Sequence, residues 1–211
     1  MDFKSNTLLD RSYQWIDPLC EGSEETMDRD RALFLSVKQG MLSPILRFYH
    51  WERPTLSYGR TQKLDFAAAS QIKGSGWPVV MRPTGGGKVF HQDDTCFSLI
   101  WSKFDSPIPW AIRDSYCQIH GWIRESLKLL NVLTSRHDPK TQSESSSDLD
   151  PSVCFQSPVQ DDLMHSGAKL VGGAQWRDHN FALHQGSIQR KLTLQEIKIF
   201  KQKFEEIFQI K

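Results

Sequence analysis

The sequence predicts an α+β domain, with mixed or antiparallel sheets flanked by helices. Three observations predict it. Short runs rich in β-branched and aromatic residues recur between residues 45 and 101; one apolar stripe at steps of three and four runs between Pro107 and Asn131; and a second strand-like meander extends from Leu163 to Gln189. Strands and helices do not alternate regularly, which argues against a doubly wound parallel sheet. A chain of 211 residues can bury a single core without disulfides or metals, so one domain spanning 1–211 is expected.

The elements follow in order. Glu24 and Glu25 place negative charge in the first turn of a helix that passes through Leu33 and Phe34 and stops near Gly40. Ile45–Trp51 and Thr55–Gly59 read as two strands separated by Glu52, Arg53 and Pro54. Asp65 caps a short helix through Ala67, Ala68 and Ala69 that ends before Gly74. Val79–Arg82, Val89 with Phe90, and Cys96–Trp101 are further strands, punctuated by Pro83, three glycines and a Gln92-Asp93-Asp94 turn.

The stripe Ile112, Tyr116, Ile119, Ile123, Leu127 and Leu130 predicts the longest helix, packed on a sheet. Residues 134–152 hold almost nothing a core can use and predict a polar, flexible loop. The meander turns at Ser166-Gly167 and Asp178-His179-Asn180; Thr193 with Glu196 then forms a capping box ahead of Ile197, Phe200, Phe204 and Phe208 on one face of a last helix.

Charge excludes several function classes. Twenty-six basic and 25 acidic residues leave a formal charge of +1, with no basic stripe for nucleic acid. No segment approaches the roughly 18 apolar residues that a bilayer span requires, and Met1–Leu9 lacks the apolar run of a signal peptide, so no membrane partner and a cytoplasmic location are expected. Cys20, Cys96, Cys117 and Cys154 form no C-x-x-C pair, which suits a reducing compartment, and the seven histidines show no ligand spacing, so no metal is expected.

Three segments carry chemistry. In Arg82-Pro83-Thr84-Gly85-Gly86-Gly87-Lys88-Val89-Phe90-His91, three glycines remove every β-carbon, so a ligand can lie against the main chain and its N–H groups can converge on an oxygen. It is not a Walker loop, since Arg82 and Val89 occupy the places of that motif's first Gly and its Ser or Thr. In Gly167-Ala168-Lys169-Leu170-Val171-Gly172-Gly173-Ala174-Gln175, one lysine opens a strand whose next small residues leave room for something else to approach. Cys154 stands where the polar loop meets the meander, and a nearby ammonium would hold its thiolate ready as a nucleophile.

In order along the chain, Leu46-Arg47-Phe48-Tyr49, Pro54 to Gly59, Arg82 to Gly87 with His91, Thr95 to Ser98, Lys169 to Gln175 and His184-Gln185-Gly186-Ser187-Ile188 resemble the catalytic domain shared by lipoate-protein ligases, octanoyltransferases and biotin-protein ligases. The resemblance extends from about Glu24 to Ile188. It implies a bent tunnel for an acyl chain, with Lys169 at the carbonyl end and Arg82, Thr84, Gly85, Gly86, Gly87, His91, Gly172, Gly173, Ala174 and His184 as substrate-binding residues. It also implies Cys154 as the nucleophile that takes an octanoyl or lipoyl group as a thioester, with acyl carrier protein as donor and no cofactor required.

The implied acceptor is a lysine on a lipoyl domain of a 2-oxoacid dehydrogenase complex or on the glycine-cleavage carrier protein. Two alternatives stand beside it: an ATP- and Mg-dependent ligase acting through lipoyl-AMP, and a non-catalytic binding module. Met81, where many ligases carry an arginine, and the single helix after Ser187, implying no C-terminal accessory domain, favour transfer. Gly85-Gly86-Gly87 and Thr95-Cys96-Phe97 look more like ligases.

Overall fold

The computed structural model describes residues 13–41, 43–62, 76–140 and 155–209. The helix at Asp65, residues 141–152 of the polar loop, and Cys154 lie outside the described residues.

A seven-stranded sheet forms the body. It contains β1 (Gln14–Glu21), β2 (Ile45–Trp51), β6 (Thr95–Ser102), β7 (Ser135–Arg136), β8 (Leu163–His165), β9 (Ala168–Asp178) and β10 (Phe181–Ile188), in the order β1-β2-β6-β10-β9-β8-β7. A smaller sheet, β4-β3-β5, is built from β3 (Thr55–Gly59), β4 (Val79–Arg82) and β5 (Val89–His91). Helices α1 (Ser23–Lys38), α2 (Ile112–Leu129) and α3 (Leu194–Phe208) complete the layers.

Alternation along the strands decides what each face meets. Leu46, Phe48, Phe97, Leu99 and Trp101 point to one side and pack with Ile119, Trp122, Ile123 and Leu127 of α2 and with Ile197, Phe200, Phe204 and Phe208 of α3. Ile45, Ile100 and Leu183 point to the other side, against Phe34 and Val37 of α1. The small sheet shares that second side, since Met27, Tyr49, Trp51 and Cys96 cluster with Val80 of β4.

A buried polar network fixes α1 to the sheet. Arg47 sends Nη1 to Asp30 and Nη2 to Glu21, each at 2.6 Å. The second oxygen of Asp30 accepts from Ser98 at 2.5 Å and from Gln185 at 2.6 Å. Burial pushes the Asp30 carboxyl upward, and Arg47 with these donors opposes that rise.

Several expectations needed correction. Strand β1 was not anticipated, because Pro18 interrupts its pattern; it pairs parallel with β2 at the sheet edge, with a register shift between Ile16 and Leu19, which is where a proline is tolerated. The polar segment begins ordered: Ser135 and Arg136 pair with Met164 and Leu163, and Arg136 donates to the Cys117 carbonyl and to Asp161. Ile112 of the predicted stripe is exposed, since it sits in the first turn of α2. Asp94 is buried, so Gln92 and Asp93 alone make the turn. The capping box at Thr193 and Glu196 is present.

Removing one partner of a buried ion pair strands the other, at a cost of about 3–5 kcal/mol. Asp30→Ala is therefore expected to lower the urea midpoint sharply, by several kcal/mol of stability. A change under about 1 kcal/mol, ordinary for a surface site, would show that the network does not hold α1.

Candidate active site

A narrow cleft lies between the two sheets. Its floor is strand surface from Tyr49, Cys96, Gln185, Ser187, Gly172 and Ala174, and its roof comes from Arg82, Val89 and His91. Trp51 and Phe155 also line it.

Lys169 stands at one end. Its side chain is only 2% exposed, and its Nζ lies 2.8 Å from Oδ2 of Asp162. Asp162 is held in turn by the Tyr116 hydroxyl at 2.6 Å and by the Val159 N–H at 2.7 Å. The Phe155 ring centroid sits 4.9 Å from the ammonium. Space for this lysine exists because residue 172 is glycine: a β-carbon there would lie 2.3 Å from Lys169 Cε and 2.7 Å from Nζ.

The glycine turn meets the same strand two residues on, with a β-carbon built on Gly86 coming 3.5 Å from the Ala174 methyl. Gly86 has φ +87°, a conformation that favours glycine. Arg82 braces the turn from inside, its Nη2 donating to the carbonyls of Gly85 and Gly87 at 3.1 and 2.7 Å. Thr84 is tied across to Gln185 at 2.7 Å. Gly59 permits the close approach: a β-carbon there would lie 2.3–2.5 Å from backbone atoms of Gly85 and Gly86.

The other end is a hydrogen-bonded chain. Arg82 Nη1 donates to Ser57, Ser57 meets His91 Nε2, and His91 Nδ1 meets Asp94 Oδ2, each at 2.6 Å. The sequence of roles matches a hydrolase triad, but Ser57 is fully buried and does not line the cleft. Asp94 also accepts from Ser187 at 2.6 Å and from the Cys96 thiol at 3.3 Å. Burial would raise the Asp94 carboxyl, yet His91 and these donors hold it below the usual carboxylate range. Burial and Asp94 push the Cys96 thiol well up, so Cys96 stays protonated and is not a nucleophile.

His91, Asp94 and Cys96 each bring a ligand-type atom within 4.8 Å of the others, a grouping that residue spacing alone does not suggest. The 2.6 Å His91–Asp94 contact is nonetheless a direct hydrogen bond, shorter than the roughly 3.3 Å edge that two ligands of a tetrahedral ion at about 2.0 Å would span.

Arg82, His91, Gly172, Gly173 and Ala174 thus come together along the cleft, with Lys169, Thr84 and Gly85 to Gly87 at its margins. His184 does not join them. It points to the opposite face, stacked on Phe97 at 5.5 Å and lying under Gly173, where a β-carbon would meet its Nε2 at 2.4 Å. Asp162, Tyr116, Ser57, Gln185 and Asp94 were not anticipated as site residues. A lysine expected at a reactive carbonyl requires a counter-charge once buried, and Asp161-Asp162 just before the meander was the available signal.

His120 and His184 are buried behind this strand, each with Nε2 lacking a partner among the described residues. Burial pulls His120 from 6.5 down to about 4 and His184 well below its usual value. The unfolded chain therefore binds protons that the fold refuses, and stability present above pH 6.5 is lost as pH falls towards 4. His120 alone contributes about 3 kcal/mol to that loss. Thermal melts from pH 7.5 to 4.5 should show the decline, and His120→Phe should flatten it; an equal slope in both would refute the assignment. Separately, Gly59→Ala should displace the glycine turn, since its clash is with backbone, and lower kcat/KM at least tenfold in the transfer assay described below; wild-type activity would show that this close approach is dispensable.

Comparison with known proteins accords with this architecture. The chain matches the lipoyl protein ligase A/B catalytic domain family over residues 23–210. It is 32% identical to octanoyltransferase LipM of Oceanobacillus iheyensis over 171 residues, covering 80% of this chain and 60% of that protein. It is 33% identical to octanoyltransferase LipM of Staphylococcus aureus over 192 residues, covering 90% and 70%. The chain thus spans about 60–70% of the length of these curated relatives. Two solved structures share the fold: a lipoate-protein ligase A bound with ATP, at TM-score 0.68 and 18% identity over 94% of this chain and 85% of that one, and a bipartite lipoate protein ligase with its E2 lipoyl domain from Thermoplasma acidophilum, at TM-score 0.66 and 17% identity over 94% and 85%. On the matched residues, the ordered motifs and the fold, this chain belongs to the lipoyl protein ligase A/B catalytic domain family.

Proposed function

We propose that the protein transfers an octanoyl group to a specific lysine of a lipoyl domain through a thioester on Cys154. The observation that carries this reading is the buried Lys169–Asp162 pair at the end of a mostly apolar cleft, covered by the ring of Phe155, the covalent neighbour of Cys154. An acyl carbonyl entering there meets a fixed ammonium, while its chain is taken out of water along the strands.

The steps follow from that arrangement. The Cys154 thiolate attacks the donor thioester carbonyl, and the donor's thiol leaves with its electron pair and a proton. Lys169, held charged-end inward by Asp162, orients the carbonyl and supports the thiolate. Backbone N–H groups of the glycine turn are the available donors for the developing oxyanion. The acceptor amine then attacks the acyl-enzyme, an amide forms, and the Cys154 thiol is restored.

The buried pair speaks for an electrostatic role of Lys169 rather than for a lysine that strips a proton from the incoming amine. Arg82 is engaged with Ser57 and with two turn carbonyls, which gives it a bracing role. Acyl carrier protein as donor, and a lipoyl domain or the glycine-cleavage carrier protein as acceptor, complete the proposal; ATP and Mg enter only if the protein acts as a ligase.

The deciding assay mixes the protein with octanoyl-acyl carrier protein and an apo lipoyl domain, omits ATP, and weighs enzyme and acceptor by mass spectrometry. Acylation of both is expected, with Cys154→Ala abolishing it and Lys169→Met lowering it by about 100-fold or more, within the range for losing a group that stabilises developing charge. Labelling that needs free lipoate and ATP and survives Cys154→Ala would replace transfer by ligation. No labelling under either condition would leave a binding module.

A further inference from the structure

The cleft crosses the strands rather than following them, so strand register gives it a length. Tyr49 pairs with Cys96, Cys96 with Ser187, and Ser187 with Gly172. These four residues form one row across β2, β6, β10 and β9, and all four line the cleft. Lys169 lies against Gly172, which makes that end the reactive one.

Neighbouring strands are about 4.8 Å apart, so two steps from Gly172 to Cys96 cover about 10 Å and three steps to Tyr49 about 14 Å. A staggered saturated chain with bonds of about 1.5 Å advances roughly 1.25 Å per bond, so the seven carbon–carbon bonds of an octanoyl group extend about 9 Å. A carbonyl over Gly172 therefore places the terminal methyl over Cys96.

One strand beyond Cys96 the row is filled by the buried rings of Tyr49 and Trp51, so Cys96 is the last small position before that wall. Its Sγ accepts from Trp51 Nε1 at 3.2 Å, and the Trp51 ring is backed by His91 at 4.6 Å and by Tyr49 at 5.8 Å. Met27 and Val80 close the same cluster. Between the two ends, Ser187 gives its proton to Asp94, so the middle of the row offers a chain no unsatisfied hydroxyl.

We propose that Cys96, braced by Trp51, is the specificity-determining stop that sets acyl length: the site takes a straight chain of about eight carbons and disfavours longer chains and those carrying a ring at the far end, such as the dithiolane of lipoyl. This rests on the acyl-transfer reading and adds which residue measures the acyl group.

The test compares wild type, Cys96→Ala and Cys96→Leu with hexanoyl-, octanoyl-, decanoyl- and lipoyl-acyl carrier protein as donors and an apo lipoyl domain as acceptor. One methylene in an apolar pocket is worth about 10–200-fold in kcat/KM. Cys96→Ala should raise the decanoyl-to-octanoyl and lipoyl-to-octanoyl ratios by about tenfold or more. Cys96→Leu should lower octanoyl relative to hexanoyl by a similar factor. Ratios measured within one preparation are independent of how much of it is folded, and if Cys96→Leu yields no folded protein the Cys96→Ala ratios decide. Ratios equal to wild type, in an enzyme that does transfer octanoyl, would overturn the stop and leave transfer standing. A wild-type protein that transfers no chain of any length would overturn both.

Discussion

A lysine ammonium can be kept in a protein interior only where an opposite charge meets it, and much of this site is arranged around that requirement. Asp162 supplies the charge, and Tyr116 from α2 and the Val159 N–H hold Asp162 in place. Because the ammonium lies over β9, a side chain at residue 172 would displace it from Asp162. Lining the cleft with a charged group thus forces a bare stretch of strand beside it. One electrostatic demand yields both the charged end of the cleft and part of its bare wall.

The glycine turn is governed by distance rather than charge. It touches β9 at Ala174 and crosses β3 at Gly59, where the approach is closer than a side chain permits. Arg82 turns this closeness into rigidity by gathering Gly85 and Gly87 carbonyls on one guanidinium. Its other nitrogen enters the chain through Ser57 and His91 to Asp94, so the turn and the far end of the cleft share one hydrogen-bonded support.

Most of the fold was legible because its elements have strong local periods. Strands β2 and β3, helices α1 and α2, and the capping box of α3 follow from alternation, from three-and-four spacing and from end residues. Strand β1 was hidden by Pro18, whose cost depends on lying at an edge, a fact of topology and not of spacing. At the site, glycines and Lys169 announced themselves by being odd in a strand. Asp162 and Asp94 did not, since an aspartate beside a turn looks solvated until the fold buries it. His184 was placed on the ligand side by the ordered motifs; strand alternation sends it the other way, next to Phe97, while its neighbour Gln185 faces the cleft.

The two sheets are joined at several points along their contact. Thr84 reaches Gln185, Ser187 reaches Asp94, the Trp51 ring packs on that of His91, and Gln185 continues to Asp30 and Arg47 within the interior. A body cross-linked in this way does not hinge apart like a clamshell. A guest of the cleft must therefore enter along its length, since the sheets that form its floor and roof are tied to each other.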